Sequence, residues 1–267
     1  MSLRINQNTE AFNAYRNLSV TQGQMAKSLE KLSSGFRINR AADDAAGLAI
    51  SEGLRSQIGG LKVAVRNAQD GVSLAQTAEG ALTEVHSMLQ RMNDLSVQYN
   101  NGTQSTESKA ALKSEFDALK TEVGRIQDNT KFNGVALFDG TAKAFQTGYA
   151  TSDTISITAT AAGDFKTAIA GLDITLATNS NDVQTQITNV SKQRAELGAI
   201  QNRFEHTINN LNTSVENLSA SESRIRDTDM AQEMMNFTRS QILSQAGTAM
   251  LAQANQAPQG VLQLLRG

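Results

Sequence analysis

The sequence has no cysteine, no tryptophan and a single proline, Pro258, and aromatic residues make up only 4% of it. The absence of cysteine excludes a disulfide-stabilised scaffold, a cysteine nucleophile and a thiolate-bound metal. Ordinary globular domains contain about 5% proline, whereas this chain has long proline-free stretches rich in Ala, Gln, Asn, Ser, Thr and Leu. The composition therefore predicts long helices with modest apolar faces rather than a compact enzyme.

The sequence also has no large excess of positive or negative charge. It contains 24 Lys and Arg residues and 26 Asp and Glu residues, which gives a net charge of −2. This balance does not favour nucleic-acid binding, which needs a basic surface. No run approaches the ~18 apolar residues of a membrane span. Residues 1–8 turn polar where a secretory signal turns apolar. We therefore expect no nucleic acid and no membrane as partners, and export without a cleaved secretory signal.

The motifs of catalysis and metal binding are missing as well. His86 and His206 lie far apart, and neither belongs to a His-x-x-x-His or His-Glu-x-x-His pattern. No phosphate-binding loop or nucleophile elbow is present. Asp43 and Asp44 lack the spacing of a calcium loop and fit better near the start of a helix. We expect no cofactor, no metal and no enzymatic activity.

What the chain does have is a seven-residue apolar repeat along two long segments, from about Asp43 to Gln98 and from about Asn181 to Ile225. A period of 3.5 sustained this long indicates a coiled-coil seam, and the first helix would be roughly 80 Å long. Polar residues interrupt the companion positions of both segments. The seam residues are Leu54, Leu61, Leu82 and Leu89 in the first segment and Val190, Leu197, Phe204, Leu211, Leu218 and Ile225 in the second.

Shorter helical patterns flank these segments, over residues 10–32, 105–129 and 230–254, the last ending before Pro258. The middle of the chain, residues 131–178, has turn signals and period-two alternation, which predict short β-hairpins. Its strand candidates are Val135–Phe138, Thr154–Thr158 and Leu172–Leu176. The predicted fold is mainly α: a long antiparallel coiled-coil or helical-bundle rod formed by both chain ends, with a small β-hairpin region in the middle.

A short connector follows the first helix, which Gly35 is expected to end in the left-handed conformation. It contains Arg37 and Arg40, with Asn39 as the expected cap of the next helix. Because Asp43 and Asp44 follow at once, we expect them to neutralise the two arginines and form a salt-bridged joint between two packing regions. The small residues of the last helix cannot stabilise it alone, so we expect the chain ends to become ordered only in an assembly.

The connector and both chain ends resemble bacterial flagellins. The resemblance rests on Ser34–Ser51, on Leu3–Asn6 with Asn17 and Leu18, and on Gln241–Gln256 running to Arg266. It implies a terminal coiled-coil domain forming the filament core (1–40 with 228–267), a helical rod domain with β-hairpins (41–140 with 170–227) and a short variable insert (141–169). The core and export-chaperone region would contain the apolar residues Ile242, Leu243, Leu251, Leu262, Leu264 and Leu265.

The same resemblance implies partners and a location. The chain would polymerise with itself into an extracellular filament and contact the flagellar type III export apparatus, a C-terminal export chaperone, the filament cap and the hook-junction proteins. It also implies recognition by the vertebrate Toll-like receptor for flagellin, at residues that double as inter-subunit packing positions. These are Arg91, Leu95 and Glu115, in a segment where Asn93 and Asp94 depart from the common pattern.

Three alternatives stay open from the sequence. A hook–filament junction protein has the same architecture but diverges across Ser34–Ser51, which is intact here. A flagellin with a metalloprotease insert needs a histidine motif, and residues 141–178 contain no histidine. A cytoplasmic coiled-coil scaffold belongs to a different class and would release no filament on shearing. For a filament subunit, we expect Leu211→Asp to leave a helical monomer that does not polymerise.

Overall fold

The computed structural model describes residues 7–158, 163–176 and 179–264, with residues 257–264 as backbone alone. The described part is mainly helical, with a small β region in the middle of the chain, as the sequence predicts. Its elements are α1 (Thr9–Ser34), α2 (Ala45–Tyr99), α3 (Thr106–Asn129), β1 (Lys131–Phe132), β2 (Val135–Ala136), β3 (Lys143–Gln146), β4 (Thr154–Ile157), α4 (Phe165–Ala170), α5 (Asn179–Arg226) and α6 (Met230–Leu264).

The chain divides into two compact units, and the boundaries lie between Ser56 and Gln57 and between Asn217 and Leu218. Unit 1 contains both chain ends, including α1, α6, the start of α2 and the end of α5. Unit 2 contains the central residues, 57–217. The two long helices α2 and α5 therefore contribute residues to both units, whereas the β region belongs to unit 2 alone.

The helix boundaries follow from local capping. At the start of α1 the Asn8 side chain accepts a hydrogen bond from the Ala11 N–H at 3.0 Å. At its end Gly35 adopts φ 76° and donates to the Lys31 carbonyl at 2.8 Å, which satisfies an otherwise free helix carbonyl. The Ser105 hydroxyl caps α3 by accepting from the Ser108 N–H. The predicted stop at Gly35 is confirmed.

Unit 2 has its core between α2, α3 and α5. The heptad residues Leu82, Leu89, Leu197 and Phe204 are fully buried there, and each such side chain contributes about 1.5–3 kcal/mol by its removal from water. Gly71 on α2 provides the space for the Phe204 ring, because a Cβ at this glycine would lie 2.6 Å from a ring carbon. The central part of the predicted seam is therefore a packed interior.

Polar residues that interrupt the heptads contact one another within unit 2. Glu79 of α2 lies 3.6 Å from the Arg194 guanidinium of α5 and accepts a hydrogen bond from the Gln201 amide at 3.3 Å. An isolated polar position in a coiled-coil seam favours one register over its alternatives at some cost in stability. These three interrupting residues thus form a polar contact between α2 and α5 that favours one register of the pair.

Two antiparallel hairpins form the β region. Asn133 and Gly134, at φ 49° and 80°, turn the chain between β1 and β2, as expected for an Asn-Gly turn. Strands β3 and β4 pair from Lys143 with Ile157 to Gln146 with Thr154. The second hairpin contacts the helices through Phe145, whose ring meets Phe204 edge to face at 5.6 Å. The predicted hairpin character is confirmed.

The short helix α4 joins unit 2 through a buried glutamine. The Gln127 amide donates to the Phe138 carbonyl at 3.1 Å and to the Asp164 carboxylate at 2.6 Å, and its oxygen accepts from the Lys166 N–H at 2.7 Å. Phe165 packs beside these groups with its ring 5.0 Å from that of Phe138. One side chain thus connects α3, the segment after β2 and the start of α4.

Three local predictions are wrong. Leu172–Leu176 is not a strand but a turn after α4, because the Leu172 N–H bonds to Ile169 and the Leu176 N–H to Asp173. The sequence reading also missed α4 and β3, which are only six and four residues long. Finally, α6 does not end near Ala254 but continues to Leu264, beyond Pro258.

Candidate functional site

Unit 1 contains a closely packed antiparallel pair formed by α1 and α6. Proline lacks a backbone N–H, so Pro258 leaves the Ala254 carbonyl without its usual partner four residues on. The Asn8 side chain donates to that carbonyl at 2.7 Å while its oxygen caps α1. Asn8 therefore joins the start of α1 to the position where proline interrupts the hydrogen bonds of α6, and it satisfies the carbonyl that Pro258 leaves free.

The buried side of this pair is small and polar. Leu18 packs against Gly247, where a Cβ would lie 3.3 Å from the leucine methyl carbon. Among the residues of α1 and α6 whose side chains the structure describes, the other buried ones are polar: Ser28, Glu233 and Ser240. Further apolar side chains of the pair, such as Met25 and Phe237, are only half-buried, so the pair removes less apolar surface from water than a fully buried core does.

Most apolar side chains of α1 and α6 point outward instead. Phe12 is 72% exposed and Ile242 is 60% exposed. Of the predicted core residues, Leu243 is also exposed and Leu251 is half-buried. The side chains of Leu262, Leu264 and Leu265 lie outside the described residues. Among the side chains that the structure describes, the large exposed apolar ones are Phe12, Tyr15, Val20 and Leu29 on α1 and Met230, Met234, Met235, Ile242, Leu243 and Met250 on α6; we call this set the outer apolar face.

The predicted joint, residues 35–44, pairs with the segment between α5 and α6. Phe36 and Asp227 form an isolated antiparallel bridge, and the Thr228 N–H donates to the Gly35 carbonyl at 3.0 Å. Arg37 donates from its backbone to the Arg226 carbonyl and from its guanidinium to the Ile225 carbonyl, both at 2.6 Å. These bonds tie the two interhelical connectors together within unit 1.

The ion pairs of the joint differ from the prediction. The Arg40 guanidinium contacts Glu30 of α1 at 2.9 Å, and the Arg37 guanidinium bonds to the Ile225 carbonyl, so neither side chain forms the predicted ion pair with Asp43 or Asp44. The second ion pair of this region joins Arg226 to Glu52 at 2.6 Å. Asp43 instead accepts the backbone N–H of Arg40 at 3.0 Å and that of Asn39 at 3.3 Å. The Arg40 N–H is the main reason that the pKa of the Asp43 carboxyl lies below its ordinary value.

Asp44, and not Asn39, caps α2. Its carboxylate accepts the Gly47 N–H at 2.8 Å, which is the bond of an N-cap side chain to the third helical residue. Asn39 donates to the Phe36 carbonyl inside the connector. Gly47 has no room for a side chain, since a Cβ there would lie 2.5 Å from an Asp44 oxygen and 2.8 Å from Ile38. Two backbone-directed carboxylates therefore shape the connector.

The predicted receptor residues lie in unit 2. Arg91 of α2 and Glu115 of α3 form an exposed ion pair with an N–O distance of 2.7 Å. Leu95 is fully buried on the next turn of α2. Asn93, between them in sequence, accepts a hydrogen bond from Ser180 of α5 at 3.1 Å. The structure thus brings Arg91 and Glu115 together at the surface, whereas Leu95 is buried in the interior of unit 2.

Burial of the predicted seam varies along the chain. The residues within unit 2 are buried, namely Leu61, Leu82, Leu89, Val190, Leu197, Phe204 and Leu211. The residues within unit 1 are half-buried, namely Leu54, Leu218 and Ile225. Because Leu211 belongs to the interior of unit 2, Leu211→Asp would disturb the fold of the monomer and is a poor test of polymerisation alone.

Neither a metal site nor a membrane-spanning helix is found in residues 7–158, 163–176 and 179–264. No group of three or more His, Asp or Glu side chains in these ranges is placed to hold a metal ion. Among the described helices, none combines the length and apolar character needed to cross a bilayer. The outer apolar face of α1 and α6 is therefore the feature of this part that calls for a functional explanation.

Comparison with known families covers most of the chain. Residues 5–143 match the family described as "Bacterial flagellin N-terminal helical region", and residues 181–265 match the "Bacterial flagellin C-terminal helical region". The chain belongs to the bacterial flagellin family. The matched ranges omit residues 144–180, which contain the end of β3, β4 and α4.

Relatives similar over their whole length support this assignment. The chain is 54% identical to the flagellin of Halalkalibacterium halodurans, covering 98% of this chain and 99% of the relative. It is 49% identical to the flagellin of Bacillus subtilis, covering 99% of this chain and all of the relative. This flagellin is therefore a structural subunit that polymerises with itself into a flagellar filament.

A solved structure is similar over part of the chain. The crystal structure of Bacillus cereus flagellin has a TM-score of 0.50 and 30% identity, and the match covers 55% of this chain and 88% of the other. The predicted family and the predicted mainly helical fold are thus confirmed.

Proposed function

We propose that the outer apolar face of unit 1 is the surface through which one subunit binds the next. The observation that carries this is the reversed arrangement of α1 and α6, whose apolar side chains face outward and whose buried ones are mostly polar. A monomeric protein rarely exposes a large apolar patch. In a filament-forming family, the partner that covers it is a second copy of the chain.

The geometry of such a contact follows from symmetry. A contact between two different surfaces of identical subunits is heterologous, and it generates an open helix when the rotation does not close a ring. The small residues of α6, such as Gly247 against Leu18, allow neighbouring helices to approach closely. In this proposal residues 1–40 with 228–267 form the filament core, residues 41–140 with 170–227 form the rod around it and residues 141–169 form a short insert.

The test compares two equally exposed positions. Ile242 of the outer apolar face is 60% exposed and Tyr149 of unit 2 is 63% exposed. We expect Ile242→Gln and Tyr149→Gln each to change the free energy of unfolding of the monomer by less than about 0.5 kcal/mol. Only Ile242→Gln should reduce polymerisation, measured by sedimentation and by electron microscopy of negatively stained filaments. Equal polymerisation of both variants would contradict the proposed contact.

We also propose that the subunit is exported through the flagellar type III apparatus and that the filament lies outside the cell. The chain lacks cysteine, so it forms no disulfides while it passes unfolded through a type III export apparatus. An export chaperone covers the C-terminal region before assembly, and the filament cap and hook-junction proteins contact the assembled chain ends. The apolar residues of that region are Ile242, Leu243, Leu251, Leu262, Leu264 and Leu265. Deletion of residues 258–267 should then abolish chaperone binding and filament formation together, as tested by co-purification and microscopy.

A second surface in the proposal is the exposed Arg91–Glu115 pair of unit 2, with the buried Leu95 one helical turn after Arg91. A charged pair on the side of a rod suits recognition by the Toll-like receptor for flagellin. We expect Arg91→Ala to weaken activation of receptor-expressing reporter cells while the monomer stays folded. Arg125→Ala is the matched control, since Arg125 also forms an exposed pair, with Glu122 of α3, on the same unit.

A further inference from the structure

The methionines of this chain are distributed unevenly. Met92 is fully buried and Met88 packs against the core, both in unit 2. Four of the eight methionines in the sequence lie on α6, and all four are exposed by about half or more. Their exposed fractions are 48% for Met230, 51% for Met234, 58% for Met235 and 63% for Met250. Solvent therefore reaches the four methionine side chains of α6, and all four belong to the outer apolar face.

The surroundings of these methionines make them a coherent site. Met234 and Met235 line a shallow apolar depression together with Ile242 and Leu243. The sequence contains no cysteine, so no thiol competes for an oxidant. Methionine thioethers are the sulfur groups that remain, and their oxidation converts a flexible apolar side chain into a polar one.

We propose that the exposed methionines of α6 are a redox modification site that controls polymerisation of the free subunit. A peroxide transfers one oxygen atom to the thioether sulfur: the O–O bond breaks, a sulfur–oxygen bond forms, and the peroxide is reduced to water or an alcohol while the sulfur loses two electrons. The sulfoxide is polar at a position where the neighbouring subunit supplies apolar surface. This inference rests on the proposed assembly role of the outer apolar face.

The modification acts on one state of the protein. In the free subunit the four thioethers are open to solvent, whereas in the proposed filament a second copy covers them. Oxidation therefore blocks addition of new subunits and leaves existing filaments intact. Reduction of the sulfoxide by a thiol-dependent methionine sulfoxide reductase, with one enzyme for each sulfoxide epimer, returns the subunit to the assembling pool.

The experiment treats the purified full-length monomer with dilute hydrogen peroxide, removes the peroxide and locates sulfoxides by peptide mass spectrometry. We expect sulfoxide at Met230, Met234, Met235 and Met250 and none at Met92, with unchanged helical circular dichroism. The critical concentration for polymerisation should rise roughly tenfold or more, a tenfold change being about 1.4 kcal/mol. Incubation with both reductases should restore the original value, and failure to restore it would contradict reversible control.

Leucine variants separate this site from other damage. A chain with all four of these methionines replaced by leucine keeps the volume and apolar character of the surface, so it should polymerise equally before and after peroxide treatment. Met92→Leu, changed in the buried core only, should respond to peroxide as the original chain does. If the four-leucine chain loses polymerisation on treatment as the original does, the modified group lies elsewhere and the inference is wrong.

The remaining outcomes distinguish the inference from the proposal beneath it. If the oxidised original chain polymerises as well as the untreated one, control by methionine oxidation is disproved and the assembly surface is unaffected. The four-leucine chain could also fold but fail to polymerise even when untreated. Leucine would then not replace methionine at this contact, and the thioether itself would be required. That result would contradict the proposed function, in which the contact is a simple apolar one. Protection of the four residues in assembled filaments would support both.

Discussion

The α2–α5 pair of unit 2 and the α1–α6 pair of unit 1 are both helical pairs, but they differ in where their large apolar side chains lie. In unit 2, large residues such as Leu89 and Phe204 are fully buried, so the pair contributes its apolar surface to the fold of the monomer. In unit 1, Leu18 is buried against Gly247, while Phe12 and Ile242 remain exposed. A helical repeat therefore predicts that a helix has partners, but not whether those partners lie in the same chain.

The size of the residues at the contact explains this difference. A phenylalanine in a notch, such as Phe204 at Gly71, makes a large contact that one partner helix satisfies. Small residues at the α1–α6 contact, such as Gly247 beside Leu18, bring two backbones close but remove little apolar area. The close approach leaves the larger side chains on the outside, where they are available to other subunits.

The largest effect we expect comes from removing the buried ring of unit 2. Phe204→Ala deletes a side chain that fills the Gly71 notch and contacts Phe145 edge to face. The loss in free energy of unfolding should be about 3–5 kcal/mol, measured by guanidinium denaturation of the monomer. The matched variant Phe12→Ala, at a site 72% exposed, should cost less than about 0.5 kcal/mol and reduce polymerisation instead. Equal destabilisation by both variants would remove the distinction between the two units.

The second effect concerns the polar contacts of unit 2. Gln127→Ala leaves the Phe138 carbonyl and the Lys166 N–H without this partner and removes one of the donors to the Asp164 carboxylate. Each buried polar group left unsatisfied costs about 1–3 kcal/mol. Because water can reach part of the site, we expect a total loss in that range. Hydrogen exchange should become faster in α4 and stay unchanged in α1 and α6. Faster exchange in α1 or α6 would show that the effect is not confined to unit 2.

The sequence predicted the long elements well because helical periodicity accumulates over many residues. The heptads from Leu54 to Leu89 and the stop at Gly35 agree with the structure. It predicted short elements poorly, since the six residues of α4 depend on the buried Gln127 amide and on the Asp164 cap. The pattern Asp164-x-x-Thr167 was the available signal for a helix start, but such a cap pattern is common in turns.

The joint was predicted in its location and incorrectly in its chemistry. Arg40 pairs with Glu30 of α1 rather than with the adjacent aspartates, because those carboxylates are occupied by the backbone N–H groups of the connector and of α2. Sequence proximity suggested a local ion pair, whereas unpaired backbone donors compete for the same carboxylates. The outward orientation of the α6 apolar residues also required the structure, since an almost continuous series of small residues has no defined face.

Acid should affect unit 2 through two hydrogen-bonded carboxylates, Asp164 at the start of α4 and Asp139 in the turn before β3. Hydrogen bonds from Thr167 and Gln127 lower the pKa of Asp164, and those from Lys143 and Thr141 lower the pKa of Asp139. Because the folded pKa lies below the unfolded value of about 3.9, this stabilisation is complete above that value and is lost as pH falls toward the folded pKa. The thermal midpoint of the monomer should therefore decrease below about pH 4.

Asn is as good a helix cap as Asp but does not titrate in this range. Asp164→Asn should therefore retain the cap and weaken the dependence of the thermal midpoint on pH, as followed by circular dichroism between about pH 2 and pH 6. An unchanged pH profile would show that Asp164 does not contribute to the acid sensitivity of unit 2.

The smallest effect tests the hydrogen bond from the Asn8 side chain, at the start of α1, to the Ala254 carbonyl of α6. Asn8→Asp keeps the oxygen that caps α1 and removes the donor to the Ala254 carbonyl, which should cost about 0.5–1.5 kcal/mol. Pro258→Ala supplies a backbone N–H to the same carbonyl, so in that background the Asn8→Asp substitution should cost less. The coupling energy of this double-mutant cycle, read from hydrogen exchange of α1 and α6, should be at least about 0.5 kcal/mol. A coupling near zero would mean that α6 continues past Pro258 without help from α1, and that the α1–α6 pair depends still more on neighbouring subunits.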